Sequence, residues 1–481
     1  MSALKKVLIN GILYTGISKY AGVLISLIIT AVLSRLLLPE DFGIVAVAMV
    51  IITFFSVFSD LGIAPAVIQN KALDENDISN IFSFTVWLAI GISLLFFLCS
   101  GAIASFYDSP KLITICRLLS LNLFFNTLDV VPNAMLYKDK KFKFLAQRSV
   151  IVQSIVGVVA IVAALGGAGI YSLLINPVIS SFIIFIITYR LYPQRFNLKF
   201  GFNSLQKILS FSLYQFFFNL INYFSRNLDK LLIGRYMGMG SLGYYEKSYR
   251  LMMLPIQNIT HVITPVMHPV FSEFQNDIKF LESSYLKIIR LMAFIGFPLS
   301  VFLLFTSREL VLLIFGMQWG ASVPVFTILA LTVGMQIILS TSGSMFQAAG
   351  DTRSLFISGL FSATLNVAAI LIGIFVFGTL KAVAWGIVVS FSINFFQCYL
   401  LMYFVTFKMK INQFFKVLIL PLILSIILFL VFYTSSFYIQ IDNMIISLLI
   451  KTVASCVIWA VFVQATNSYD IISGVKNYLK K

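Results

Sequence analysis

The stretch "LSRLLLPEDFGIVAVAMV", residues 33–50, returns further along the chain as "IGRYMGMGSLGYYEKSYR", residues 233–250, with Arg35 and Gly43 matched to Arg235 and Gly243 at the same spacing. A second pair, "ASFYDSPKLITICRLLSL" (104–121) and "LLIFGMQWGASVPVFTILAL" (312–331), keeps the same order of aromatic, turn and apolar residues at a slightly larger offset. The two copies are therefore predicted to be repeats of one unit, each of six helices. An even number of helices gives both copies the same topology, related by an axis along the membrane normal. Transporters that rock two lobes about a central site are built this way.

The membrane enters through composition. Hydrophobic residues make up 60% of the chain, charged residues 11%, and the mean hydropathy is +0.98, which lies outside the globular range. No polar stretch is long enough for a soluble domain. Runs of about 20 apolar residues, the length that crosses a bilayer, fall near 11–34, 42–66, 80–105, 112–135, 144–166, 169–190, 210–234, 242–268, 286–306, 322–348, 355–377, 381–405, 413–434 and 443–466. They are continuous rather than alternating, so helices are expected and not a barrel. The first run is too long for a signal peptide, carries Lys19 and lacks an A-x-A site, so it stays as a helix. The expected fold is all-α: a polytopic membrane protein of 14 transmembrane helices, with lobes at 1–195 and 196–407 and two further helices with a tail at 408–481.

The net charge of +16 is scattered over short loops, which fits topology signals and not a nucleic-acid surface. With the N-terminus inside, most of the 34 lysines and arginines fall on the cytoplasmic face, and only Arg35, Lys111, Arg117, Arg235, Arg308 and Lys381 fall on the outer face. Both termini are then cytoplasmic. Cys99, Cys116, Cys398 and Cys456 sit in apolar runs without metal-type spacing, so neither a disulfide framework nor a zinc site is expected, nor any other metal or cofactor. The "GMGSLG" of 238–243 follows no strand and reads as a turn. The basic run "YKDKKFKF" (137–144) reads as an anchor at anionic lipid heads.

Charges inside the apolar runs carry the functional signal, because ionisable groups at membrane depth are costly and rarely idle. On the seventh run, Gln215, Asn219, Asn222, Arg226 and Asp229 recur at helical spacing on one face. On the eighth, Glu246, Arg250, Gln257, His261, Thr264 and His268 do the same. Lys19, Asp60, Asp129 and Arg148 fall in the inner half of the first copy. Arg226 with Asp229, and Glu246 with Arg250, could be ion pairs satisfying each other. The uncharged continuation of both stripes favours the lining of a hydrated cavity. Its candidate substrate-binding residues are Lys19, Arg148, Asn222, Arg226, Arg250, Gln257 and His261, and its charge partners or ion-coupling groups are Asp60, Asp129, Asp229 and Glu246. An excess of Arg and Lys suits an anionic head group, which guanidinium grips bidentately.

Two segments bear a family resemblance. The stretch from Asn227 to Asp277, "NLDKLLIGRYMGMGSLGYYEKSYRLMMLPIQNITHVITPVMHPVFSEFQND", resembles the signature of bacterial Wzx-type polysaccharide exporters in the multidrug/oligosaccharidyl-lipid/polysaccharide superfamily. "VPNAMLYKDKKFKF" (131–144) is similar to the corresponding loop of the colanic acid and teichuronic acid exporter branch. The resemblance implies a flippase in the bacterial cytoplasmic membrane that moves undecaprenyl-pyrophosphate-linked oligosaccharide repeat units outward. It further implies a cationic cavity, membrane lipids and polymerase machinery as partners, and coupling to Na+ or H+. A lipid II flippase or a drug/cation antiporter would share the fold. The antiporter would want an acidic residue in the first helix, where this chain has Lys19. An enzyme is disfavoured by short outer loops, the longest being about 307–321.

Overall fold

The structure, a computed structural model, describes residues 2–70, 72–198, 201, 220, 223, 227–438, 441–466 and 468. The regular elements among these residues are all helices, with no strand among them. Among the described residues, eleven helices are long and apolar enough to cross a membrane, or twelve when a bent pair is counted as one span. The expected seventh helix lies largely outside the described residues. The eighth is a 34-residue helix, Met239–Ser272, whose polar stripe keeps it below the hydropathy of the others.

The chain divides into two compact units, Met1–Gly243 and Tyr244–Lys481. The first contains α1 (Ser2–Leu36), α2 (Pro39–Asp60), α3 (Ile63–Gln69), α4 (Glu75–Phe106), α5 (Lys111–Lys138), α6 (Phe142–Leu165), α7 (Ser172–Leu191) and α8 (residues 227–236). Helix α5 is its centre, packing on α2, α3, α4 and α7, while α6 lies on α1 and α7. The run expected at 42–66 is broken: Leu61 and Gly62 take left-handed backbone at φ 41° and 71°, ending α2 and starting α3. Ile63, Ala66 and Val67 of α3 are then buried against Ile81, Phe82 and Val131.

At the end of the unit where α2 begins, the first turn of α9 (Met239–Ser272) meets α2 backbone to backbone. A Cβ on Gly43 would lie 1.8 Å from the Met239 carbonyl oxygen, and one on Gly243 would lie 2.0 Å from that of Pro39. These are the matched positions of the repeat, so the contact is reciprocal. Nearby, Lys111 stands 3.9 Å from Asp41, and the Arg235 guanidinium bonds Asp108 while lying over the Phe106 ring.

The second unit is built on α10 (Ile278–Phe305), which packs on α12 (Ser322–Ala330), α13 (Val333–Leu339) and α17 (Asn412–Tyr438). Helix α11 (Ser307–Phe315) follows α10 and holds α18 (Met444–Ala465). The run expected at 322–348 is not one rod but α12, α13 and α14 (Ser342–Ala348), bent by 49° between Ala330 and Val333. Helix α15 (Thr352–Ile372) pairs with α16 (Leu380–Leu401), and each ends in a π-helical turn, Gly373–Phe377 and Met402–Phe407.

Candidate functional site

In the first unit, α5, α6 and α7 converge on Arg148. Only 9% of this residue is exposed, although it is charged and lies on a predominantly apolar span. Its Nη1 donates to the Thr188 hydroxyl on α7, and its Nη2 donates to Asn133 Oδ1 on α5 at 3.1 Å. The Thr188 hydroxyl donates in turn to the Ile184 carbonyl at 2.7 Å. Asp129, one turn before Asn133, is 8% exposed and within electrostatic reach of Arg148. Its Oδ1 and the Arg148 Nε are both buried without a hydrogen bond. A buried charge must be paired or solvated, and a guanidinium with a spare N–H beside a carboxylate with a spare oxygen suits reversible exchange of protons or anions.

Two of the expected inner residues are thus brought together, and Asn133 and Thr188 join them. Lys19 is half-buried on α1, next to Ser18, whose hydroxyl reaches the Ala146 carbonyl on α6 at 3.3 Å. No hydrogen bond or ion pair among the described residues joins Lys19 to Arg148. The side chain of Asp60 lies outside the described residues. The basic loop is fixed where Lys138 donates to the Asn70 carbonyl at 3.2 Å and Lys141 sits 4.7 Å over the Tyr192 ring.

Asp229 is buried in α8, whereas Asn222 and Arg226 lie outside the described residues. Along α9, Glu246 is half-buried and Arg250 and Gln257 are exposed, on one helical face as their spacing requires. His261 falls on the same helix, with its side chain outside the described part. Lys247, adjacent in sequence, does something different. It is 2% exposed, its ammonium 4.9 Å from the Phe315 ring centre and 5.3 Å from that of Trp319, so cation–π attraction helps to hold it. Ser248, the next residue, donates to the carbonyls of Tyr244 and Ser322, both at 2.9 Å, fixing α9 to α12.

The second unit also holds polar groups the sequence reading did not single out. Tyr285 meets Thr341 at 3.0 Å and Tyr399 at 3.1 Å, and Tyr403 donates to Glu282 at 3.1 Å, all buried. On α18, Lys451 bonds Glu309 and donates to the Phe305 carbonyl at 2.8 Å, while Ser447 donates to Glu309 at 2.8 Å. Burial works to raise the Glu309 pKa, but the bonds from Lys451 and Ser447 outweigh it and hold the carboxyl below its ordinary value. Stability from this group is therefore complete above the ordinary carboxylate range and is lost as pH falls through the lowered folded value. Lys451→Met is expected to cost roughly 2–4 kcal/mol at neutral pH, less than for a fully buried pair because Lys451 is partly exposed. The second change Glu309→Gln should recover most of the loss. Hydrogen exchange in α18 checks both; equal protection in wild type and Lys451→Met would remove the staple.

The chain is similar to several known proteins. The model of the family described as polysaccharide biosynthesis protein matches residues 32–324. The teichuronic acid biosynthesis protein TuaB of Bacillus subtilis (strain 168) is 24% identical over 435 residues, covering 88% of this chain and 88% of the relative. The lipopolysaccharide biosynthesis protein WzxC of Escherichia coli (strain K12) is 26% identical over 435 residues, covering 87% of this chain and 85% of the relative. Among solved structures, the lipid II flippase MurJ in an inward closed conformation matches with a TM-score of 0.76 at 17% identity, covering 95% of this chain and 98% of the other.

Proposed function

The chain belongs to the polysaccharide biosynthesis protein family, and from that premise we propose that it is a flippase. It carries undecaprenyl-pyrophosphate-linked oligosaccharide repeat units across the bacterial cytoplasmic membrane by alternating access, for assembly of a surface polysaccharide. In this reading the 14 helices form two six-helix lobes and a C-terminal pair, with both termini in the cytoplasm. Na+ or H+ drives the cycle, and polymerase machinery takes the product.

The observation that carries the proposal is the stripe on α9. Exposed Arg250 and Gln257 share a face with half-buried Glu246 on a helix among membrane spans. Facing lipid, such groups would be expensive; facing a water-filled cavity, they are stable and accessible. A cationic cavity suits a pyrophosphate head, because Arg can exchange a carboxylate partner for a phosphate without fresh dehydration. Asp229 and Glu246 then keep the empty cavity from carrying unscreened positive charge.

Arg226→Ala and Arg250→Ala should nearly abolish export while the protein still inserts. The Lys variants, which keep charge but lose the planar fork, should retain a fraction of it. Surface polysaccharide and membrane-inserted protein are measured together. Normal export in the Ala variants, or a parallel fall of both quantities, would leave these arginines as structural pins and place the substrate elsewhere.

A further inference from the structure

Helices α15 and α16 touch through glycines. A Cβ on Gly373 would lie 2.7 Å from the Val383 Cα, and one on Gly386 would lie 2.9 Å from the Ala369 carbonyl oxygen. With the backbones this close, the larger side chains diverge and leave a groove of about 510 Å³, whose walls include Leu365, Ala368, Ile372, Trp385 and Val389. Both helices are long and apolar enough to cross a membrane, and in a bilayer the exposed faces of Ile372, Trp385 and Val389 would meet hydrocarbon. The floor from Ala382 to Ile393 runs about 16 Å at the helical rise, roughly half of a hydrocarbon core of about 30 Å.

One cation immediately precedes Ala382, the first residue of α16 to line this groove. Lys381 is exposed one turn before Trp385 and two before Val389, on their face of α16. It is the single charged residue between Arg353 and Lys408 in the sequence. Among the described residues no carboxylate pairs with it. The distribution of Lys and Arg assigns this end to the outer face, where cations are few, so a topology role does not account for it.

We propose that the groove is a binding site for an anionic phospholipid of that leaflet, its acyl chain lying between α15 and α16 and its phosphate on the Lys381 ammonium. A groove one leaflet deep fits an acyl chain, whereas a long polyprenyl chain would overrun it. The site is separate from the α9 stripe and does not depend on what the protein transports.

The test is lipid retention by the purified full-length protein in detergent, read by native mass spectrometry. Phosphatidylglycerol should be retained about fivefold more tightly than phosphatidylcholine, as expected for a single lysine at an anionic head group. Lys381→Gln should bring that ratio close to one, and Ala368→Trp, filling the groove from an exposed wall position, should weaken both lipids. Should Ala368→Trp fail to fold, the exposed Lys381→Gln decides alone. Equal retention of the two lipids by the wild type, or an unchanged ratio in Lys381→Gln, overturns the proposal. Displacement of phosphatidylglycerol by equimolar polyprenyl phosphate also overturns it, giving the groove to a polyprenyl chain instead.

Discussion

Gly43→Ala and Gly243→Ala are each expected to abolish polysaccharide export, whereas Gly240→Ala on the same stretch of α9 should leave it intact. The first two glycines have no room for a methyl group. At Gly43 a Cβ would meet the Met239 oxygen at 1.8 Å and its carbonyl carbon at 2.6 Å; at Gly243 it would meet the Pro39 oxygen at 2.0 Å. Both obstacles are backbone, so no rotamer change relieves them and the helix ends must separate. Overpacking commonly costs about 1–3 kcal/mol where side chains can yield; here roughly 3 kcal/mol or more is expected, since close helix crossings in membranes depend on small residues. A Cβ on Gly240 meets nothing within 4 Å, which makes it the control. Export and the thermal midpoint of the purified protein are measured in the three variants. If Gly43→Ala behaves like Gly240→Ala, the contact is not needed in any state the protein must visit.

The Arg148 cluster gives the second large effect, with stability and transport separating. Arg148→Leu leaves Asp129 buried without its counter-charge, and loss of one partner of a buried pair typically costs about 3–5 kcal/mol. Membrane-inserted protein should therefore drop sharply. Asp129→Asn removes the lone carboxylate but keeps its shape and the Arg148 bonds to Thr188 and Asn133, so insertion should be near normal. Export should nevertheless fall more than tenfold if Asp129 carries the coupling proton or cation, as carboxylates at membrane depth often do. The double variant Asp129→Asn/Arg148→Gln should regain the protein level lost in Arg148→Leu without regaining export. Normal export by Asp129→Asn at normal protein level would end the coupling role and leave a structural one.

Much of the helical scaffold was legible because apolar runs and their length follow directly from what a bilayer tolerates. Arg148 and Asp129 were legible for the same reason, as charges out of place. Asn133 and Thr188 were not, since neutral polar residues are ordinary in membrane helices and only the fold brings them to the guanidinium. The break at Leu61 and Gly62 was invisible to hydropathy, which does not register a left-handed backbone between two apolar segments. The same applies to the bend between α12 and α13. Nothing in the sequence singles out Lys247, because Phe315 and Trp319 lie on a distant helix and a 3-10 turn. The glycine contact was half legible: the repeat marked Gly43 and Gly243 as equivalent, but nothing in the sequence said that they meet.

The burial of Lys247 has a consequence for the order in which the chain is made. Its aromatic enclosure is supplied by Phe315 and Trp319, which leave the ribosome long after α9 has been delivered to the membrane. Until then the ammonium has neither ring beside it, so the cation–π part of its surroundings is completed only when the segment through Trp319 has been made. One part of this lysine's surroundings thus arrives late in synthesis, at an interval set by the distance along the messenger between one lysine codon and one tryptophan codon.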